Sequence, residues 1–262
     1  MKVAIIGGGA AGFFSAICVK RNYPKAHVTI YEKSQKLLSK VKISGGGRCN
    51  VTNGCKNVND LCKAYPRGGK KLKSAFNIFN TKHIFEWFES RGVPLTIEDD
   101  GRVFPKSNSS QSIIDCFMKE VNSLRIDIKT GSGVKEIRAI DNKIKLLFLE
   151  EKNKVSLVDK VIIASGGSPT KKGFKWFERS GHIIKDPVPS LFTFNIPKSP
   201  IIKLMGVVAK DTLVNIQGTK LSSNGPLLIT HWGMSGPAIL KLSSFGARIL
   251  NEMNYDFNIQ VS

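Results

Sequence analysis

Three glycines near the amino terminus have a spacing with chemical meaning. Residues 3–12 read Val-Ala-Ile-Ile-Gly-Gly-Gly-Ala-Ala-Gly, which gives Gly7-x-Gly9-x-x-Gly12 directly after a short apolar run and directly before a helical pattern. Gly7 permits a tight strand-to-helix turn, Gly9 leaves the backbone open to a pyrophosphate, and Gly12 lets the helix pack close to the strand. Free N–H groups at the helix start then face phosphate oxygens. Glu32 stands twenty residues past Gly12, at the end of a second apolar run, Val28-Thr-Ile-Tyr-Glu, where it can accept hydrogen bonds from a ribose diol. The pattern predicts a dinucleotide site, against the alternative of a Gly-rich turn with no ligand.

The elements that must hold these residues follow from periodicity. Residues 2–6 read as a buried parallel strand, 10–21 as its helix, stopped near Asn22-Tyr23-Pro24, and 27–32 as the second strand. Residues 34–70 read as a long irregular stretch holding Ser44-Gly-Gly-Gly-Arg-Cys-Asn-Val-Thr-Asn53, and such loops are usually functional or disordered. A helix is expected over 81–91, with Ile84, Phe85, Trp87 and Phe88 as packing residues, then short strands at 93–97 and 102–104 around Glu98-Asp-Asp-Gly101. An amphipathic helix over 109–123 has Ser109 or Ser110 as its cap. Three β-rich segments follow at 126–138, 143–149 and 154–164. The last runs into Ser165-Gly166-Gly167, a second Gly-rich turn at the carboxyl end of a strand, where an open α/β sheet places ligand contacts. Past Gly181-His182, four prolines (Pro187, Pro189, Pro197, Pro200) break the chain, and short strands are expected at 192–196, 205–210, 212–217 and 227–230. A domain boundary is placed near 190. The closing alternation of Tyr255, Phe257, Ile259 and Val261 reads as a strand cut short, so a truncated polypeptide is expected.

Composition bounds the rest. Apolar content of 41% and charged content of 23% are ordinary for a soluble globular protein. No run approaches the roughly 18 apolar residues of a membrane span, and the amino terminus enters a core strand directly, unlike a signal peptide. A cytoplasmic location with no membrane partner is expected. Cys18, Cys49, Cys55, Cys62 and Cys116 make an odd count without paired spacing, which argues against a disulfide framework. Cys49, Cys55 and Cys62 cluster without a CxxC or a His, so no metal is expected. The net charge of +20 fits either a polyanion partner or a Lys-rich surface, since 31 of the 40 basic residues are Lys. Ten basic residues and one acid, Asp60, lie between Lys36 and Lys73, and part of that charge can face a phosphate-bearing ligand. Base-stacking platforms interleave aromatics with basic residues; here Lys70, Lys71 and Lys73 have only Phe76 close by, so no specific nucleic-acid role is expected.

With these residues in view, the chain resembles the bacterial flavoprotein family of the BaiN/YhiN type, the aminoacetone-oxidase-like, NAD(P)/FAD-dependent oxidoreductases. The likeness covers nearly the whole chain in order. It rests on Ile6-Gly-Gly-Gly-Ala-Ala-Gly12, Ser44-Gly-Gly-Gly-Arg-Cys-Asn-Val-Thr-Asn53, Asp100-Gly-Arg-Val-Phe-Pro105, Ala164-Ser-Gly-Gly167 and Thr230-His-Trp-Gly-Met-Ser-Gly-Pro237. It implies an α/β fold: a glutathione-reductase-type, FAD-binding Rossmann-like domain at 1–190 and the start of an inserted β-rich domain at 191–262, incomplete at the C-terminus. Family members are longer and close the FAD domain with a later Gly-rich segment beside the flavin, so this chain alone is expected to lack part of the flavin site and to turn over poorly.

The resemblance implies a distribution of roles. Gly7, Gly9, Ala11 and Gly12 would carry the FAD pyrophosphate. Glu32 would hold the adenosine ribose, unless it is a solvated carboxylate at a strand end, and Lys33 would cover the adenine side. Arg48 can contact phosphate with its planar fork. Asn50 and Asn53 offer donors and acceptors to a ribityl chain or flavin edge; Cys49 and Thr52 lie in the same loop. Cys49 reads better as a packed small side chain than as a redox thiol, because no CxxC partner exists. Val134 would give backbone contacts to the adenine, or be an ordinary strand residue. Gly166 and Gly167 would approach the cofactor. Arg102 and Phe104 border the substrate side or only fix a turn. His231 is a substrate-side acid/base or, more in keeping with its setting, a structural histidine. No residue is assigned as catalytic. The function implied is FAD-dependent oxidation or reduction of a small molecule, with NAD(P)H or the substrate itself as reductant. The rivals are an FAD-dependent RNA-modifying enzyme and a dinucleotide-binding fragment without turnover.

Overall fold

Four consecutive apolar residues after Lys2 leave the first strand no face for water. Lys2–Ile6 (β1) is accordingly an inner strand of a parallel sheet. The computed structural model describes residues 1–149 and 155–262, so Lys154, the first residue of the expected 154–164 segment, lies outside it. The helix Ala10–Asn22 (α1) carries the chain to His27–Tyr31 (β2), which pairs with β1 in parallel, Ile5 opposite Ile30. Strand Lys160–Ile163 lies on the other side of β1, and Asp127–Lys129 lies outside β2. The connections on either side of β1 therefore run in opposite directions, which opens a crevice at its carboxyl end.

Side chains of β1 alternate between two cores. Val3 and Ile5 join Phe13, Ala16 and Ile17 of α1 with Phe117 and Val121 of the helix Ser110–Ser123. Ala4 and Ile6 meet Tyr31, Leu146, Phe148 and Val158 on the opposite face. That second face is covered by the antiparallel strands Val134–Ile140, Lys143–Phe148 and Val155–Val158. Two of the three expected β-rich segments thus split between sheets. Asp159 divides the last one, and its carboxylate accepts the Lys2 N–H at 2.6 Å.

The stretch 34–70 is less irregular than expected. It holds the short helices Ser39–Ile43 (α2) and Val58–Lys63, the start of Gly69–Ile78, and a 3-10 turn at Ser44–Gly47. Asn57 caps the second of these by accepting from the Asn59 and Asp60 N–H groups. Helices this short show no clear period and are held by their surroundings. Thr52–Asn53 pairs with Arg102–Pro105, which pairs in turn with Leu95–Ile97. Helix Thr81–Glu89 buries Phe88, with Ile84, Phe85 and Trp87 packed against the same core.

The chain divides into two compact units: Met1–Gly167 with Gly173–Ile184, and Ser168–Lys172 with Lys185–Ser262. In the second, a five-stranded antiparallel sheet runs in the order Phe194–Asn195, Gly233–Ser235, Ser222–Thr230, Val208–Ile216, Ile259–Val261. The expected strands 205–210 and 212–217 are one strand, irregular between Ala209 and Thr212. Helices Pro237–Phe245 and Ala247–Glu252, absent from the sequence reading, pack Ile239, Leu242 and Leu250 on Val214, Ile216, Leu227 and Ile229. Of the closing alternation, Ile259 and Val261 lie in a strand, paired with 208–216, whereas Tyr255 has φ +60° and breaks the extension.

Candidate dinucleotide-binding site

At the turn from β1 into α1, two glycines are required by the protein itself. Gly7 has φ +114°, and a Cβ there would lie 2.3 Å from the Ala164 carbonyl oxygen. A Cβ on Gly12 would lie 1.9 Å from the Gly7 oxygen, so only glycine allows the helix this close to the turn. Gly9 differs: a Cβ there would meet nothing within 4 Å, and Gly9, Ala10 and Ala11 are exposed. Helix α1 starts at this open spot with no side-chain cap and no acidic residue in its first turn. Its first N–H groups thus have no side-chain acceptor, and the positive end of the helix dipole faces outward. The cradle fits a pyrophosphate.

Glu32 follows β2 and reaches back to this turn. Its Oε2 accepts the Gly8 N–H at 2.7 Å, and its Oε1 accepts the Ser34 N–H at 2.9 Å. Burial opposes ionisation of this carboxyl, but the Ser34 and Gly8 hydrogen bonds, with Lys33 beside it, hold it below the usual carboxylate range. A carboxylate has about four acceptor positions, so capacity remains for a ribose hydroxyl. Lys33 is exposed, and Gly133 packs against it, a Cβ on Gly133 lying 3.0 Å from the Lys33 Cβ. The Ser132 N–H donates to the Glu32 carbonyl at 2.8 Å. The segment leading into Val134 is therefore brought beside Glu32 and Lys33.

Gly166 and Gly167 are exposed beyond the strand that flanks β1, whose Ala164 N–H donates to the Ile6 oxygen at 2.8 Å. Gly166 has φ +76°; the nearest neighbour of a Cβ there would be the Lys40 Nζ at 3.9 Å. Lys40, one of the basic residues of the 36–73 stretch, and Leu38, which sequence reasoning missed, therefore belong to this end of the sheet. Lys40 of α2 brings a cation, and Leu38, buried at φ +52°, donates its N–H to the Gly8 oxygen at 2.9 Å. The density of basic residues near 36–42 was the one available signal for Lys40; nothing local marks Leu38.

The 44–53 loop is organised around Phe104. Arg48 stacks on that ring at 3.9 Å and donates from Nη1 to the Glu98 Oε1 at 2.6 Å. Arg102 lies 5.3 Å from the same ring and pairs with Glu98 and Asp100. One arm of Arg48 is thus committed to Glu98, a partner the sequence did not suggest. Cys49 has φ +66°, its side chain lies in the core, and burial pushes its thiol up. The Asn50 Oδ1 accepts the Val103 N–H at 3.3 Å, and the Asn53 Oδ1 accepts the Cys55 N–H at 2.8 Å; Thr52 is half-buried beside Val103. In the second unit, His231 is exposed and its ring stands edge-on to Trp232. Among the described residues, no three His, Cys, Asp or Glu are placed to hold a metal, and no helix is long and apolar enough to cross a membrane.

A parallel sheet with this turn, this open helix start and an acid after the second strand defines a Rossmann-like α/β domain of the dinucleotide-binding class. The chain belongs to the family described as the HI0933-like protein Rossmann domain, whose model matches residues 1–243. It is 27% identical over 259 residues to the 3-dehydro-bile acid delta(4,6)-reductase of Clostridium scindens, covering 96% of this chain and 62% of that protein. It is also 27% identical over 252 residues to the ribosomal RNA dihydrouridine synthase of Haemophilus influenzae, covering 92% of this chain and 60% of that protein. The chain thus spans about three fifths of the length of these relatives. Among solved structures, the open conformation of a flavocytochrome c3 fumarate reductase matches with a TM-score of 0.53 at 18% identity, covering 80% of this chain and 46% of that one. At that identity the likeness is one of fold.

Proposed function

We propose that this chain is the FAD-binding portion of an NAD(P)/FAD-dependent oxidoreductase acting on a small molecule. The observation that carries the reading is the open space over Gly9 at the uncapped start of α1, with the Glu32 carboxylate alongside. In this reading the pyrophosphate lies across Gly7, Gly9, Ala11 and Gly12. Glu32, Lys33 and the backbone at Val134 serve the adenosine end. Gly166, Gly167 and the loop of Arg48, Cys49, Asn50 and Thr52 serve the flavin end, with Cys49 acting through its backbone because its side chain is in the core. Bound flavin supplies the exchange of hydride; the residues supply orientation, electrostatics and exclusion of water. A delta(4,6)-reductase and a dihydrouridine synthase, the names those relatives carry, both add hydrogen across a carbon–carbon double bond. That shared chemistry favours reduction of such a bond as the reaction class, with NAD(P)H as reductant.

Calorimetric titration of the chain with FAD and with NAD tests the cofactor. FAD is expected to bind more tightly; equal or tighter NAD binding with no flavin uptake overturns the reading. A second reading, flavin-dependent modification of RNA in the cytoplasm, is favoured by the relative named for ribosomal RNA and by the net charge of +20. RNA affinity as a function of salt separates the two.

A further inference from the structure

Glu32 does two jobs at once in this geometry. Ligand recognition by a carboxylate after the second strand requires only an exposed oxygen. Here both oxygens are already engaged by backbone donors: Oε2 with the part-buried Gly8 N–H at 2.7 Å and Oε1 with the exposed Ser34 N–H at 2.9 Å. The Ser34 Oγ lies 3.0 Å from Oε1 and 2.8 Å from the Lys36 oxygen, sharing one proton between them. Gly8 itself is buried, and its carbonyl accepts the Leu38 N–H at 2.9 Å. The Gly8 residue is therefore gripped at its N–H by Glu32 and at its C=O by Leu38. The backbone of Glu32 is equally fixed, its N–H donating to the Lys129 oxygen at 2.9 Å and its C=O accepting the Ser132 N–H at 2.8 Å. A rigid carboxylate thus holds the peptide one residue before Gly9.

We infer that Glu32 is a positioning residue for the phosphate-binding turn, acting through the Gly8 N–H, in addition to any contact it makes with a ribose. The inference rests on the dinucleotide reading above. Its consequence is that loss of the carboxylate weakens binding of the diphosphate even when the ribose offers no hydroxyl. Glutamine at this position keeps one acceptor oxygen but turns an NH2 group toward the second N–H, so it cannot satisfy Gly8 and Ser34 together.

The probes are ADP and 2′,3′-dideoxyadenosine 5′-diphosphate, titrated against the 262-residue chain and its Glu32→Gln variant, with folding checked by circular dichroism. Both probes are expected to bind the variant about tenfold more weakly, the scale of one buried N–H left without its acceptor. Hydrogen–deuterium exchange of the ligand-free proteins is the second arm, and the segment 7–12 is expected to exchange faster in the variant. If only ADP weakens while the dideoxy probe binds unchanged, Glu32 is a ribose ligand alone and the inference is wrong. Unchanged binding of both probes, or unchanged exchange at 7–12, also overturns it. If the unaltered chain binds neither probe, the dinucleotide reading fails, and the exchange arm still decides whether Glu32 restrains the turn. Should Glu32→Gln not fold, Glu32→Asp is the second variant: its carboxylate, one methylene shorter, is drawn back from the Gly8 N–H, so both probes are expected to bind more weakly and 7–12 to exchange faster, whereas unchanged binding of the dideoxy probe or unchanged exchange overturns the inference.

Discussion

Gly9 and Gly12 differ by three positions and carry opposite constraints. A methyl on Gly12 collides with a backbone oxygen 1.9 Å away, whereas one on Gly9 enters open space. Gly12→Ala is therefore expected to cost about 3 kcal/mol of stability, as an overpacked site with no flexible neighbour to yield. Gly9→Ala should stay within about 1 kcal/mol of the parent, because its extended backbone suits any residue. Denaturant titration checks both. Gly9→Val should fold yet fail to take up FAD, since its branched side chain fills the space read as the pyrophosphate's; unchanged FAD affinity in a folded variant would show that the ligand passes elsewhere. The cysteines allow a separate check. Burial, with Glu120 next to it, pushes the Cys116 thiol up to about 11, and burial raises Cys49 and Cys18 as well. With on the order of a thousandth of Cys116 ionised at pH 8, it should resist a disulfide reagent in the native protein and react at once in denaturant. Rapid native labelling of Cys49 would revive a redox role for it.

Three helical segments are joined through one carboxylate. Glu120 on Ser110–Ser123 meets Arg21 of α1 at 2.6 Å and Arg91, just past Thr81–Glu89, at 3.1 Å. Burial works against its ionisation, but the two guanidiniums outweigh that and hold Glu120 below its usual value. A folded-state value below the unfolded one means the stabilisation is present above the unfolded value, near 4.5, and is lost as pH falls through the folded one. Glu120→Gln should therefore cost about 1 kcal/mol at pH 7, discounted for the exposure of Arg21. The two proteins should converge in stability as pH falls through the folded-state value of Glu120, below its usual range. A constant gap across that range would mean the loss is one of packing. No part of this junction was legible in the sequence, because its members are far apart in the chain. What was legible is local: β1, the turn, α1, β2 and Glu32 are consecutive, and their period and glycine spacing need no distant partner. The helices Val58–Lys63 and Pro237–Phe245 escaped for a related reason. The first is too short to show a period, and the second is apolar enough on several sides that its Pro237, a good first-turn residue, was the only mark of its start. The engagement of Arg48 with Glu98 and Phe104 likewise needed the pairing of Thr52–Asn53 with Arg102–Pro105, a long-range event.

The charge of +20 belongs to the chain at large, and it makes weak attraction to any polyanion unavoidable. If that charge serves solubility and the cofactor, fluorescence anisotropy near physiological salt should detect only weak, sequence-blind RNA binding that falls steeply as salt rises. Sub-micromolar affinity for a folded ribosomal RNA fragment would instead move the substrate from a small molecule to RNA. The same body also determines where change can be absorbed. β1 is clamped between parallel neighbours, with Ile6 opposite both Tyr31 and Ile163, and its alternate side chains are sorted into two different cores. Gly7 follows Ile6 directly. The strand thus works as a ruler that sets the phase of the turn. Inserting or deleting one residue within 3–6 would exchange the two sets of side chains and carry every glycine of the turn out of step with Ala164 and Glu32. The spacing between strand and glycines is therefore as tightly constrained as the glycines, and lineages descended from this chain should almost never change in length between Val3 and the start of α1.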